Sequence, residues 1–157
     1  MFKRVDANID LPSVESEISA YWDKINAFET SVENRKNDKT FRFYDGPPFP
    51  TGSPHYGNLL AGVIKDIVPR YWTMRGYYVE RRFGWDVHGL PIEMEVQKKL
   101  NLEDPQQIDE YGIDKFNEAC RSQVQTNTEN WEKITRKIGR WVDFENDYKT
   151  MDIDFME

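Results

Sequence analysis

Cysteine is nearly missing: Cys120 is the only one in 157 residues. That excludes an intrachain disulfide and leaves too little sulfur for a thiolate zinc site, so Cys120 reads as a small packed residue. Long apolar runs are missing too, and nothing approaches the roughly 20 residues that a membrane span needs. The opening MFKRVDANIDL lacks the apolar core of a signal peptide, and a cytoplasmic protein is expected. Positive charge is in deficit, with 21 Lys and Arg against 28 Asp and Glu, a formal net charge of -7. A chain gripping a nucleic-acid backbone over its whole surface would need the opposite balance, because that affinity comes from Lys and Arg contacts to phosphate. Histidine is scarce as well, with only His55 and His88.

What is present is the pattern of one α/β domain, the expected unit for this length. Over residues 12–28 the apolar positions Val14, Ile18, Tyr21, Trp22, Ile25 and Phe28 predict one helix, with Pro12 suited to its first turn. The polar run 31–40 predicts a loop, and the aromatic stretch 40–44 a buried strand ending at Gly46-Pro47-Pro48. Residues 59–75 predict a helix that kinks or restarts near Val68, because Pro69 removes a backbone donor. Gly76 closes it, and 77–83 alternates as a second strand, making a right-handed βαβ unit with parallel strands. Downstream, 91–100 predicts a short helix and 113–141 a long one, with Ile113, Phe116, Cys120, Val124, Trp131, Ile134, Ile138 and Trp141 near one face. The last residues, DYKTMDIDFME, show no closing strand.

One histidine falls where the first strand hands over to the helix, in PTGSPHYGN (50–58). In open α/β sheets the ligand crevice lies beyond the carboxyl ends of the strands, and a helix N-terminus there offers N–H groups and positive dipole to a phosphate. Gly52 and Gly57 allow a flat ring or phosphate close to the backbone, and His55 can donate to a phosphate oxygen. The same string also suits a plain turn with His55 capping the helix, as Asp45 and the paired prolines suit ordinary turn chemistry. The second motif favours the nucleotide cradle. GWDVHGLPIE (84–93) ends the other strand, and parallel strands deliver their tips to one edge, so Asp86 and His88 should face the cradle.

The strings FYDGPPFPTGSPHYGN and GWDVHGLPIE resemble the class I aminoacyl-tRNA synthetases, with PHYGN in place of the HIGH signature, and within them the isoleucyl branch. The resemblance runs from the LPSVE helix to WVDFENDYKTMD. It implies a Rossmann-like parallel sheet forming the first half of the catalytic domain, with an N-terminal helix and a C-terminal helical extension. Residues 1–100 would hold the helix and the half-domain, and 101–157 would lead toward the editing insertion.

The resemblance further implies ATP as Mg²⁺ complex, isoleucine, tRNA(Ile) and the remaining half of the catalytic domain as partners, with no membrane and no structural metal in this segment. It places His55 and Asn58 as catalytic, and Gly52, His55, Gly57 and Asn58 against ATP. Gly46, Pro47 and Asp86 would hold the amino acid, Asp86 through its ammonium group. Trp85 and His88 would stand behind or at the pocket edge, with Trp85 equally suited to plain core. Asn58 replaces the signature's second histidine, and its amide can donate but cannot carry charge. The KMSKS loop, the editing domain and the anticodon-binding helices are absent from the string.

The implied reaction is isoleucine activation and ligation to tRNA(Ile). Two rivals stand beside it: a small nucleotidyltransferase of the same fold, which would lack GWDVHGLPIE, and a non-catalytic nucleotide-binding module. A basic cluster, Lys133, Arg136, Lys137 and Arg140, reads as a solvated helix end or as a tRNA contact. A half-sheet with an uncovered apolar face also predicts self-association.

Overall fold

The computed structural model describes residues 8–156; most of the opening string read above lies outside them. The element order is α1 (Leu11–Lys24), α2 (Ala27–Glu33), α3 (Tyr56–Met74), β1 (Arg82–Trp85), α4 (Leu90–Leu100), α5 (Pro105–Tyr111), α6 (Ile113–Lys137), β2 (Asp143–Lys149) and α7 (Ile153–Met156).

The single helix expected over 12–28 is two. Asn26 adopts the left-handed conformation at φ 46° and turns the chain between α1 and α2. Asn is among the few non-glycine residues that tolerate this region, because its short amide bonds locally. The apolar stripe is not core either: Val14, Ile18, Tyr21 and Ile25 are exposed, and only Trp22 and Phe28 turn inward. Those two meet Trp141, Trp22 edge-on at 5.3 Å between centroids.

Helix α3 begins at Tyr56 and runs without a restart to Met74. Pro69 stays inside it, buried, and its carbonyl accepts from Thr73 Oγ1 at 2.9 Å and from Arg81 Nη2 at 3.3 Å. The expected restart at Val68 is thus replaced by packing around the proline. Gly76, at φ 86°, ends the helix: its N–H reaches Thr73 O at 3.1 Å and Tyr77 N–H reaches Trp72 O at 3.1 Å. This pair of bonds is the Schellman motif, which needs a residue free to adopt positive φ.

The strand expected at 40–44 is reduced to one parallel bridge, Thr40 to Tyr78, held by Phe41 N–H to Tyr78 O and Tyr78 N–H to Lys39 O, each 2.9 Å. Tyr44 points to solvent, 85% exposed, and the prolines that follow have no N–H to extend a ladder. The bridge on either side of α3 is still the parallel βαβ arrangement. The second strand sits later than expected, at β1.

The notable difference lies at the chain's end. A closing strand exists: β2 pairs with β1 in parallel, Arg82 with Asp143, Gly84 with Tyr148 and Trp85 with Lys149, with an irregularity between Arg82 and Gly84. The string DFENDYK hides it, because Asp, Asn and Glu are depleted in strands. Residues at the irregularity satisfy one another: Asn146 N–H donates to Asp143 Oδ1 at 3.0 Å, and Arg82 Nε donates to Asn146 O at 2.6 Å.

The core gathers Phe83, Trp85 and Val87 around β1, Ile92 of α4, Val124 and Trp131 of α6, and Val142 and Phe144 at β2. Phe83 stacks on Phe144 at 4.7 Å and leans on Trp85 at 4.3 Å. Each such burial is worth roughly 1.5–3 kcal/mol. Of the stripe expected on the long helix, Phe116, Val124 and Trp131 are buried, Cys120 and Ile134 are half-buried, and Ile113 and Ile138 are exposed. The opposite case is α3, whose Leu60, Val63, Ile64, Ile67, Val68 and Tyr71 remain exposed. No helix among the described residues is long and apolar enough to cross a membrane.

Candidate functional site

The loop between the Thr40 bridge and α3 ends at the helix mouth, and there the local sequence builds its own geometry. His55 is the N-cap of α3: its Nδ1 accepts from Gly57 N–H at 3.1 Å, while Asn58 Oδ1 accepts from His55 N–H at 3.0 Å. This is a capping box, two otherwise orphaned donors satisfied reciprocally. Because Nδ1 accepts, the neutral ring carries its proton on Nε2, and the exposed imidazole retains a donor for an anion. Gly57 makes the close cap possible, since a Cβ there would meet His55 Cε1 at 3.0 Å. The plain-turn reading, with His55 capping the helix, is the observed geometry, and it leaves the ring's Nε2–H as the donor that a cradle would use.

Gly52, at φ 58°, turns the loop onto α6, where its carbonyl accepts from Trp131 Nε1 at 2.9 Å. Gly46 is fixed from α3, its carbonyl accepting from Lys65 Nζ. Beneath the loop a hollow of about 170 Å³ is bordered by Gly46, Pro48, Asn58, Lys65, Phe83 and Trp131, among others. Neither His55 nor Asp86 lines it.

The loop's base rests on a buried charge cluster that sequence reasoning left as turn chemistry. Asp45, its side chain 0% exposed, sits 2.9 Å from Lys65 Nζ and 3.1 Å from Arg140 Nη2. Tyr148 Oη donates to the Asp45 carbonyl at 2.6 Å. Burial, then the Asp45 charge, pushes the Tyr148 phenol above its ordinary range. Arg140 thus belongs to the interior, leaving Lys133, Arg136 and Lys137 on the surface, Arg136 paired with Glu132 at 2.7 Å. Arg81, buried beside α3, is lowered by desolvation to about 10 and remains charged at neutral pH.

At the tip of β1, Asp86 N–H donates to Pro48 O at 2.9 Å, pinning the loop to the strand end. The contact joins the strand tip to the loop through backbone only; the Asp86 and His88 side chains, expected to face the cradle, turn to Thr150 instead. The Asp86 carboxylate is half-buried, and its Oδ1 accepts from Thr150 Oγ1 at 3.3 Å. His88 is exposed, with Nδ1 2.7 Å from the same Thr150 oxygen. Trp85 is plain core, 1% exposed, with its indole N–H donating to Asp147 Oδ2 at 2.6 Å. Gly84 is obligatory, because a Cβ there would run into the Tyr148 ring. Pro47 lies half-buried between Gly46 and the pinned Pro48.

The residues that hold the carboxylates of Asp86 and Asp45, and that the sequence did not assign to this place, are Thr150, Lys65 and Arg140. Thr150 and Arg140 reach their partners across 64 and 95 residues and Lys65 across the loop and the first turns of α3, so no short-range pattern marks them. Among the described residues no group of three or more His, Cys, Asp or Glu is arranged to hold a metal ion.

The fold and the motifs together define a class of protein, and comparison with known families gives it. The family described as tRNA synthetases class I (I, L, M and V) matches residues 17–157, and the chain belongs to it. Within that family it is similar to isoleucine–tRNA ligases. It is 51% identical over its whole length to the one from Treponema denticola, 53% over 94% of its length to that of Mycobacterium tuberculosis, and 53% over 93% to the cytoplasmic one of Arabidopsis thaliana. The chain spans only 12–14% of these relatives. A solved ternary complex of Agrobacterium radiobacter K84 agnB2 LeuRS, tRNA and LeuAMS shares its fold at TM-score 0.68 and 22% identity, over 94% of this chain and 17% of that one.

Proposed function

We propose that the chain is part of an isoleucine–tRNA ligase, which activates isoleucine with ATP and passes it to tRNA(Ile) in the cytoplasm. Residues 1–100 carry the first half of the nucleotide-binding domain, and 101–157 lead toward the editing insertion. The observation that supports this reading is the bond from Asp86 N–H to Pro48 O, which joins the end of β1 to the loop that runs on to His55.

In this reading the isoleucine carboxylate attacks the α-phosphorus of ATP. A carboxylate-oxygen to phosphorus bond forms, the bond to the bridging oxygen breaks, and pyrophosphate leaves. His55 donates from Nε2 to a phosphate oxygen, with Nδ1 held by Gly57 N–H. Gly52 and Gly57 admit the nucleotide, and Asn58 holds the cap that aims His55. Asp86 takes the ammonium group, Gly46 and Pro47 form the pocket wall beside it, and His88 stands at its edge. Mg²⁺, arriving with ATP, spreads the charge that develops on the phosphates. The protein's own contribution is positioning and fixed donors.

Isoleucine against valine differs by one methylene, worth about 1–3 kcal/mol, so this segment supplies a first sieve only. The test is isoleucine-dependent ATP–pyrophosphate exchange by the chain alone and with the remaining polypeptide added in trans. Exchange that requires isoleucine and rises on addition supports the reading. Nucleotidyl transfer independent of isoleucine overturns it.

A further inference from the structure

Thr150 sits just past the end of β2, 6% exposed, with its N–H donating to Trp85 O at 3.0 Å. Its hydroxyl is surrounded by three polar neighbours from the β1 tip. Val87 N–H donates to it at 3.0 Å, Asp86 Oδ1 lies at 3.3 Å, and His88 Nδ1 lies at 2.7 Å. A hydroxyl has one proton to give and two lone pairs with which to accept. The Val87 amide occupies one lone pair. A carboxylate can only accept, so the single proton is directed to Asp86, and the second lone pair is left for His88. That contact is a hydrogen bond only if His88 carries its proton on Nδ1. The opposite arrangement, with Thr150 donating to His88, would set lone pairs of Thr150 and Asp86 against each other in a half-buried place.

We infer that Thr150 is a positioning residue of the amino-acid corner: it orients the Asp86 carboxylate and holds His88 as the Nδ1–H tautomer, turning His88 Nε2 into an acceptor. This rests on the reading that Asp86 receives the substrate ammonium. The corner then presents acceptors, a carboxylate and an imidazole lone pair, which fit a cationic amine carrying several N–H donors. The two histidines are opposed: His55 is a donor at Nε2, toward phosphate, and His88 an acceptor at Nε2, toward ammonium. The hydroxyl on β2 enforces the second choice, as the Gly57 amide enforces the first.

The tautomer is read directly from the imidazole ¹⁵N shifts at a pH where the rings are neutral, and this needs no activity. In the unaltered chain His88 is expected as Nδ1–H and His55 as Nε2–H. Thr150→Ser, which keeps the hydroxyl, leaves His88 unchanged, and Thr150→Val returns it to Nε2–H. An Nε2–H His88 in the unaltered chain, or the same ring pattern in Thr150→Val, overturns the inference. In the reconstituted enzyme, Thr150→Val should raise the isoleucine KM about tenfold, the scale of one hydrogen bond to a charged group, with the ATP KM within about twofold. Thr150→Ser should restore it, and an unchanged isoleucine KM in Thr150→Val overturns the positioning role. If the unaltered protein shows no dependence on isoleucine, the substrate reading fails separately, and the ring tautomers still decide what Thr150 does.

Discussion

The two halves of the site are built in opposite ways. The helix mouth is local: His55, Gly57 and Asn58 bond to one another within four residues, and the pattern PHYGN contains all that its geometry requires. The β1 tip is the reverse. Asp86 meets Thr150 across 64 residues, Trp85 meets Asp147 across 62, and Asp45 at the loop base meets Arg140 across 95. A locally built half holds its shape wherever its few residues are kept. A half built from distant strands is only as good as the packing that brings them together.

The comparison is broken most forcefully at Asp45. Asp45→Asn leaves the buried Arg140 guanidinium without a counter-charge, and removing one partner of a buried pair costs about 3–5 kcal/mol. Chemical denaturation should show a loss of that size, and a loss below about 1 kcal/mol would mean that Arg140 finds water on relaxing. Next comes His55→Ala, which removes the Nε2 donor. In the reconstituted enzyme kcat for isoleucine-dependent exchange should fall about 100-fold, the usual loss for one preorganised donor, while loss of the cap costs about 1 kcal/mol of stability. A kcat loss of about tenfold or less, no more than the lost cap accounts for, would mean that the donor does not matter.

Smaller effects sharpen the contrast. Asn58→His removes the amide that accepts from His55 N–H, but an imidazole can also accept there, so exchange should stay within about tenfold. A loss equal to that of His55→Ala would reverse the roles given to the two residues. Least of all, Trp131→Phe deletes the bond to Gly52 O while keeping the ring in the core, at about 1 kcal/mol. The change should appear as a higher ATP KM with an almost unaltered isoleucine KM, and equal shifts in both would mean that the loop moves as one body.

Legibility followed the same division. His55 at the mouth of α3, the glycine stop at Gly76, the parallel connection and α4 could all be read, because each rests on neighbours or on a period of 3.6. The break at Asn26 was not legible, since a helical stripe carries no sign of one residue's left turn. Nor was β2: its charged string looks like a loop, and only the partner strand, more than 50 residues earlier, makes it a strand. With β2 hidden, Thr150 could not be placed, Arg140 looked like surface charge, and Trp85 was divided between pocket and core. Asp86 could be placed at the strand tip by its position after the strand, but what holds its carboxylate lay beyond any spacing rule.

The position of β2, some sixty residues after its partner β1, sets an order of events during synthesis. As the polypeptide leaves the ribosome, the histidine cap can close once the first turns of α3 have emerged. Thr150 emerges some ninety residues later, after α6, so the helix-mouth end of the site matures first and the β1-tip end must wait for the strand that brings its hydroxyl.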